Sequence, residues 1–112
     1  MNIAVFRNHR RIPSRIEHLV GRRVGLALGR LIGRVTRVEV RLSRSAGDRN
    51  GQTRRCRIHV ELRPRGIVIA EATESNFVSA INRAAGRAVR RIRKRVTRRR
   101  QLNRYVLRRT AA

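Results

Sequence analysis

Between Ala88 and Gln101 the chain reads AVRRIRKRVTRRRQ, eight cationic side chains in fourteen positions with no carboxylate among them. Guanidinium groups suit one kind of recognition: a planar fork of N–H donors meets phosphate oxygens in pairs, where an ammonium acts as a point charge. Arginine supplies almost every cation, Lys94 being the single lysine. The same imbalance runs through all 112 residues, with 30 Lys and Arg against 6 Asp and Glu and a formal net charge of +24. Such a molecule repels itself unless a polyanion is nearby, and nucleic acid, an anionic membrane surface or an acidic protein would serve. From Phe77 onward there is no acidic residue at all. An ordinary solvated helix mixes its signs, because opposite charges four apart gain about 0.2–0.5 kcal/mol and like charges lose as much. The run therefore reads as a phosphate-binding surface rather than plain solvated exterior.

Other chemistries find little material. His9, His18 and His59 fall on a loop, a helix and a strand, with no cysteine or histidine at metal-ligand spacing. The six acids are scattered over five segments and offer no carboxylate pair for acid–base work. No glycine-rich loop ends in Gly-Lys-Ser/Thr, so no nucleotide phosphate cradle is present. Cys56 is the only cysteine and shares a strand face with apolar residues, which suits a buried, inert thiol. No active site, cofactor or metal is expected. A lone cysteine also excludes an internal disulfide and suits a reducing compartment, with the cytoplasm as the expected location. The N-terminal stretch MNIAVFRNHRR does not read as a secretion signal, and VGLALGRLIGRV is broken by Arg30 well short of the roughly 20 apolar residues a bilayer crossing needs.

The elements that must present the cations follow from periodicity. NIAVFR alternates as a short first strand, with Ile3 and Val5 on one face. Ser14 followed by Glu17 has the spacing of a capping box, which starts a helix near Arg15. Ile16, Leu19, Val20, Val24, Ala27, Leu28, Leu31 and Val35 then recur at three- and four-residue steps as one stripe, with Gly33 as the stop. From Thr36 the period becomes two, with Val38, Val40 and Leu42 on one side. SRSAGDRNGQTR reads as a loop, RCRIHVELR as a strand with Cys56, Ile58, Val60 and Leu62 inward, PRG as a tight connection and IVIAEA as a fourth strand. Thr73 or Ser75 is the expected cap of a second helix whose stripe is Phe77, Ile81, Ala85, Ala88, Val89, Ile92 and Val96. At 100° per residue Arg83, Arg87, Arg90, Lys94 and Arg98 form a ridge opposite that stripe. After Val96 the phase slips, so residues 97–112 are expected as a basic tail that orders on its partner, beyond a domain spanning 1–96.

Two further features bear on recognition. Gly21, Gly25, Gly29 and Gly33 stand four apart, and each interior glycine costs about 1 kcal/mol of helix stability relative to alanine. Close approach of the second helix or of an RNA backbone would compensate; otherwise the ladder is drift in a helix held by its apolar stripe. Phe6, Phe77 and Tyr105 are the only aromatics. With two of them expected in the core, base-stacking platforms should be missing, and recognition should rest on phosphates and groove shape.

The order strand, helix, three strands, helix, with IPSRIEHLVGRRV in the first helix and IAEATESNFVSAINRAAGRAVRRIRK across the last strand and second helix, resembles the ribosome hibernation promoting factor family. That family is also called the ribosome-associated inhibitor or sigma-54 modulation family, and the likeness, to its short form, covers roughly residues 2 to 96. The resemblance implies an α+β fold, β-α-β-β-β-α: a four-stranded mixed sheet, its first two strands parallel, with both helices on one face, akin to double-stranded-RNA-binding domains. It implies a free monomer that binds the small ribosomal subunit within the 70S ribosome and takes neither a membrane nor a small-molecule substrate as partner. There it overlaps the messenger and the A- and P-site transfer RNA positions, silencing idle ribosomes under stress. Carried over by position, contacts to ribosomal RNA would come from Arg22, Arg23, Arg87, Arg91, Arg93 and Lys94, and the helical projection adds Arg83, Arg90 and Arg98. A constitutive ribosomal protein, an RNA chaperone or a nucleoid-type DNA binder would share the charge.

Overall fold

The computed structural model describes residues 2–7, 12–45 and 53–111, with side chains described as far as Leu102 except that of Ser45. The elements run β1 (Asn2–Arg7), α1 (Ser14–Leu28), a 3-10 helix (Gly29–Arg34), β2 (Val35–Ser45), β3 (Thr53–Leu62), β4 (Ile67–Glu74) and α2 (Phe77–Ala111). One sheet holds the strands in the order β1-β2-β3-β4. The α+β architecture expected from the sequence is present, including the parallel pairing of β1 with β2 and the antiparallel pairing of the rest.

Alternation divides the sheet into two faces. Val38, Val40 and Leu42 of β2, Cys56, Ile58 and Val60 of β3, and Val68, Ala70 and Ala72 of β4 are buried on the helix-covered face. They meet Val20, Val24 and Leu28 of α1 and Phe77, Ile81, Ala84, Ala88 and Ile92 of α2 in one core. The small residues of α2 let that helix lie close to the sheet. Burial raises the Cys56 thiol to about 12, because a thiolate would lose its hydration there. Among the described residues no helix covers the opposite face, which carries the charged side chains of β2 and β3 together with Phe6, Ile67 and Ile69.

Local detail departs from the sequence expectations in instructive ways. Ser14 and Glu17 do not form a capping box. Pro13 occupies the cap position, its carbonyl accepting from Ile16 N at 3.0 Å, which moves Ser14 inside the helix. Glu17 turns instead to Arg7 Nε at 2.7 Å, while Arg7 also donates to the Ile12 carbonyl at 2.6 Å. The end of β1 is thereby fastened to the start of α1. Winding stops one residue past Gly33, but its last six residues are 3-10, and Val35 opens β2 opposite Leu62 rather than extending the helical stripe. The expected loop is shortened from both sides, since β2 and β3 stay paired out to Ser45 and Thr53; residues 46–52 lie outside the described ones.

Because β4 runs on to Glu74, neither Thr73 nor Ser75 caps α2; Asn76 does, its Oδ1 accepting from Ser79 N at 2.9 Å. The tight connection after β3 is closed by Leu62 N donating to the Gly66 carbonyl at 2.8 Å, with Gly66 at φ 115, a left-handed conformation that glycine adopts freely. Residues 97–111, expected as a separate tail, continue α2 as helix. At 1.5 Å per residue, its 35 residues make α2 about 52 Å long, well beyond the reach of the eight-residue β4 beneath it.

Candidate nucleic-acid interface

Nine arginines and one lysine lie between Phe77 and Leu102, and packing sorts all but the exposed Arg100 into two populations. The first follows the free edge of β4. Arg83 forms an ion pair with Glu74 at 2.8 Å, Arg87 donates to the Glu71 carbonyl at 2.6 Å, and Arg91 donates to the Ile69 carbonyl. Further along, Arg99 reaches the carbonyls of Arg63 at 3.3 Å and Arg65 at 3.0 Å in the β3–β4 connection. Arg95 lies in the same line and brings its guanidinium against Gly66.

This comb has a geometric cause. Four residues of helix rise about 6.0 Å, and two residues of strand rise about 6.6–6.8 Å. A helix lying antiparallel to a strand therefore presents every fourth side chain to every second carbonyl, and long arginines absorb the small mismatch. The carbonyls so engaged belong to an edge strand, where unpaired backbone groups otherwise invite association with another chain.

The second population makes no hydrogen bond to the sheet among the described residues, although Lys94 and Arg98 also border a groove beside Ile67, Val68 and Ile69 of β4. Arg90, Arg93, Lys94 and Arg98, with Thr97 among them, line a shallow groove on the outer side of α2. All four cations are exposed and have no ion-pair partner among the described residues. On α1, Arg22 and Arg23 are likewise exposed, turned away from the buried Val20 and Val24. Of the nine sequence-predicted contact residues, then, Arg83, Arg87 and Arg91 are held against β4, while Arg22, Arg23, Arg90, Arg93, Lys94 and Arg98 stand clear.

The glycine ladder does not mark a close helix contact. A Cβ added at Gly21, Gly25, Gly29 or Gly33 would meet nothing within 4 Å, so α2 does not compensate for these residues. The aromatics divide between core and surface. Phe77 is buried, with Arg44 and Arg54 each 5.9 Å from its ring centroid. Phe6 is 43% exposed on the bare face of the sheet, beneath the guanidinium of Arg41 at 5.1 Å. Period-two alternation could have found it, since Ile3 and Val5 claim the inward positions of β1 and leave Phe6 outside. Tyr105 lies beyond the residues whose side chains are described.

The model of the family described as Sigma 54 modulation protein / S30EA ribosomal protein matches residues 4–100. This chain belongs to that family. Among solved structures, the sigma 54 modulation / S30EA chain is similar to the N-terminal domain of Protein Y from Thermus thermophilus, with a TM-score of 0.67 at 23% identity over 84% of this chain and 98% of that one. It is also similar to a ribosomal subunit interface protein from Coxiella burnetii, with a TM-score of 0.71 at 9% identity over 87% of this chain and 99% of the other. At such identities the likeness establishes the fold. No curated protein sequence matches the chain. Among the described residues of this sigma 54 modulation / S30EA protein, no three histidine, cysteine, aspartate or glutamate side chains group to hold a metal ion, and no helix is long and apolar enough to cross a membrane.

Proposed function

We propose that this protein is a ribosome hibernation factor, a translation inhibitor that binds ribosomal RNA of the small subunit and occupies the messenger and A- and P-site transfer RNA positions. It acts by occlusion and performs no reaction. The observation that carries this reading is the unpartnered row Arg90, Arg93, Lys94 and Arg98 on the outer side of α2. On a fold shared with a ribosomal subunit interface protein, such a row is a rigid set of phosphate donors. Arg22 and Arg23, exposed on α1, add contacts from that helix in this reading. Arg83, Arg87 and Arg91 keep α2 seated on the sheet, so the row meets folded RNA as a fixed contour rather than as a floppy charge cloud.

The test is competition. Purified small subunits are titrated with the protein in the presence and absence of transfer RNA bound at the P site, and the same preparations are used for in vitro translation. Mutual exclusion, together with arrested initiation, is the expected result. Simultaneous binding with unchanged affinity for both would refute occlusion. A high-salt wash separates this reading from that of a constitutive ribosomal protein: each neutralised phosphate steepens the salt dependence, so the protein should leave the subunit.

A further inference from the structure

We propose that the bare face of the sheet carries a second RNA contact, a groove that holds one unpaired nucleotide with its base on the Phe6–Arg41 platform and its phosphate on Arg57. It lies on the side of the molecule away from the α2 row and is independent of it.

The groove has a volume of about 390 Å³ and is lined by Phe6, Arg41, Ser43, Arg55 and Arg57 together with the end of β1. That volume is within the range of about 300–1,000 Å³ typical of small-ligand sites. Register explains its composition. Phe6 lies beside Arg41, Arg41 lies directly opposite Arg57, and Arg57 lies opposite Glu71, so one row across all four strands reads aromatic, cation, cation, acid. Like charges directly opposite each other on a sheet are destabilising. The nearby carboxylates relieve them only in part: Glu71 is hydrogen-bonded to Arg55, with the charges of Arg55, Arg57 and Arg91 helping to hold its carboxyl below the usual range, and Glu39, one row away, pairs with Arg37 at 3.0 Å. Glu61 lies a further row off, beside Ile67. Arg41 and Arg57 have no ion pair among the described residues. An anion between them is the missing partner.

The aromatic decides which anion. An exposed phenyl ring with a guanidinium over one side is a flat, cationic surface on which a nucleobase stacks. A base inside a duplex has both faces covered by its neighbours, whereas an unpaired base does not. The groove therefore selects single-stranded over double-stranded RNA, and its cationic lining supplies the charge complementarity for the backbone.

The chain contains no tryptophan, so Phe6→Trp installs a single reporter indole at the platform. The indole emission should be quenched on titration with a 12-nucleotide oligouridylate and be little changed by a 12-base-pair RNA duplex at the same ionic strength. Phe6→Leu keeps both charge and apolar bulk; it should weaken oligouridylate binding, measured by fluorescence anisotropy, about 5- to 10-fold, as loss of one stacked base requires, with duplex binding within twofold of the parent. Arg57→Gln should act in the same direction. Arg90→Gln/Lys94→Gln should lower duplex and small-subunit binding while leaving the quenching in place, which keeps failure of the ribosome reading distinct from failure of this one. Unchanged emission at saturating oligouridylate, equal quenching by duplex or by poly-glutamate, or parental oligouridylate affinity in both Phe6→Leu and Arg57→Gln would overturn the proposal.

Discussion

Two double substitutions of equal charge separate the two arginine populations of α2. Arg87→Gln/Arg91→Gln removes two teeth of the comb, and Arg90→Gln/Lys94→Gln removes two members of the outer row. Each lowers the net charge by two. In the first, the carbonyls of Glu71 and Ile69 lose their donors. A hydrogen bond from a charged donor contributes about 1.5–3 kcal/mol in favourable settings, and water can replace these at the sheet edge, so about 1 kcal/mol apiece is the reasonable scale. For a domain near 100 residues, a total of about 2 kcal/mol lowers Tm by roughly 8–16 °C, with the smaller figure fitting this slightly longer chain. In the second, no hydrogen bond or ion pair among the described residues is lost, and relief of like-charge repulsion at four-residue spacing gains about 0.2–0.5 kcal/mol, so Tm holds or rises slightly. Affinity should respond the other way. If each row member neutralises one phosphate, the slope of log K against log salt for small-subunit binding flattens by about 1.4–1.8 in the second variant and stays near the parental value in the first. Thermal unfolding followed by circular dichroism and filter binding at four salt concentrations supply both numbers. Equal Tm and equal slope in the two variants would show that the sorting by packing has no consequence, and the division of labour would fail.

Three further outcomes follow from the geometry. Gly25→Ala, in open space on a helix, should stabilise the fold by about 1 kcal/mol, read as a higher urea midpoint at unchanged m-value; a fall in stability would mean that the ladder packs against something after all. Asn76→Ala should cost about 1 kcal/mol through loss of the α2 cap, while Ser14→Ala, which caps nothing, should be neutral within about 0.5 kcal/mol; the reverse order would restore the capping box. Cys56, its thiol raised to about 12 by burial, should resist Ellman's reagent at pH 8 in the native protein and react at once in denaturant; rapid native labelling would contradict the packing of β3 against the helices.

Periodicity makes the fold legible because burial and solvent each select their own kind of residue along every element. The buried positions of β2, β3 and β4 are all apolar, and the switch from three- and four-residue steps to two-residue steps at Thr36 marks the passage from helix to strand. Caps are less legible because several polar residues compete within one turn, and the winner depends on where the preceding element ends. Ser14, Thr73 and Ser75 all have suitable chemistry; one extra turn boundary at Pro13 and two extra residues of β4 pass the role elsewhere. Phe6 shows how register overrides residue type: aromatic character alone favours the core, while its place on β1 between inward-facing neighbours puts it on the opposite face.

The site is half legible for a reason that lies in the helix itself. Arg83, Arg87, Arg91, Arg95 and Arg99 form one line at four-residue spacing, and Arg90, Lys94 and Arg98 form another beside it. Nothing in either line, read alone, says which one meets a strand. The distinction appears only when α2 is laid antiparallel along the edge of β4, because that placement offers carbonyls to the first line and none to the second. Since a backbone carbonyl and a phosphate oxygen are both acceptors for the same guanidinium, one residue type can fasten the helix and present it. A lysine line would fasten less well, having no planar fork to span the mismatch between helix and strand rise. The scarcity of lysine thus has a structural use beside the proposed phosphate binding: it lets a helix with no acidic residue hold its place on the sheet while the cations on its outer side stay unpaired.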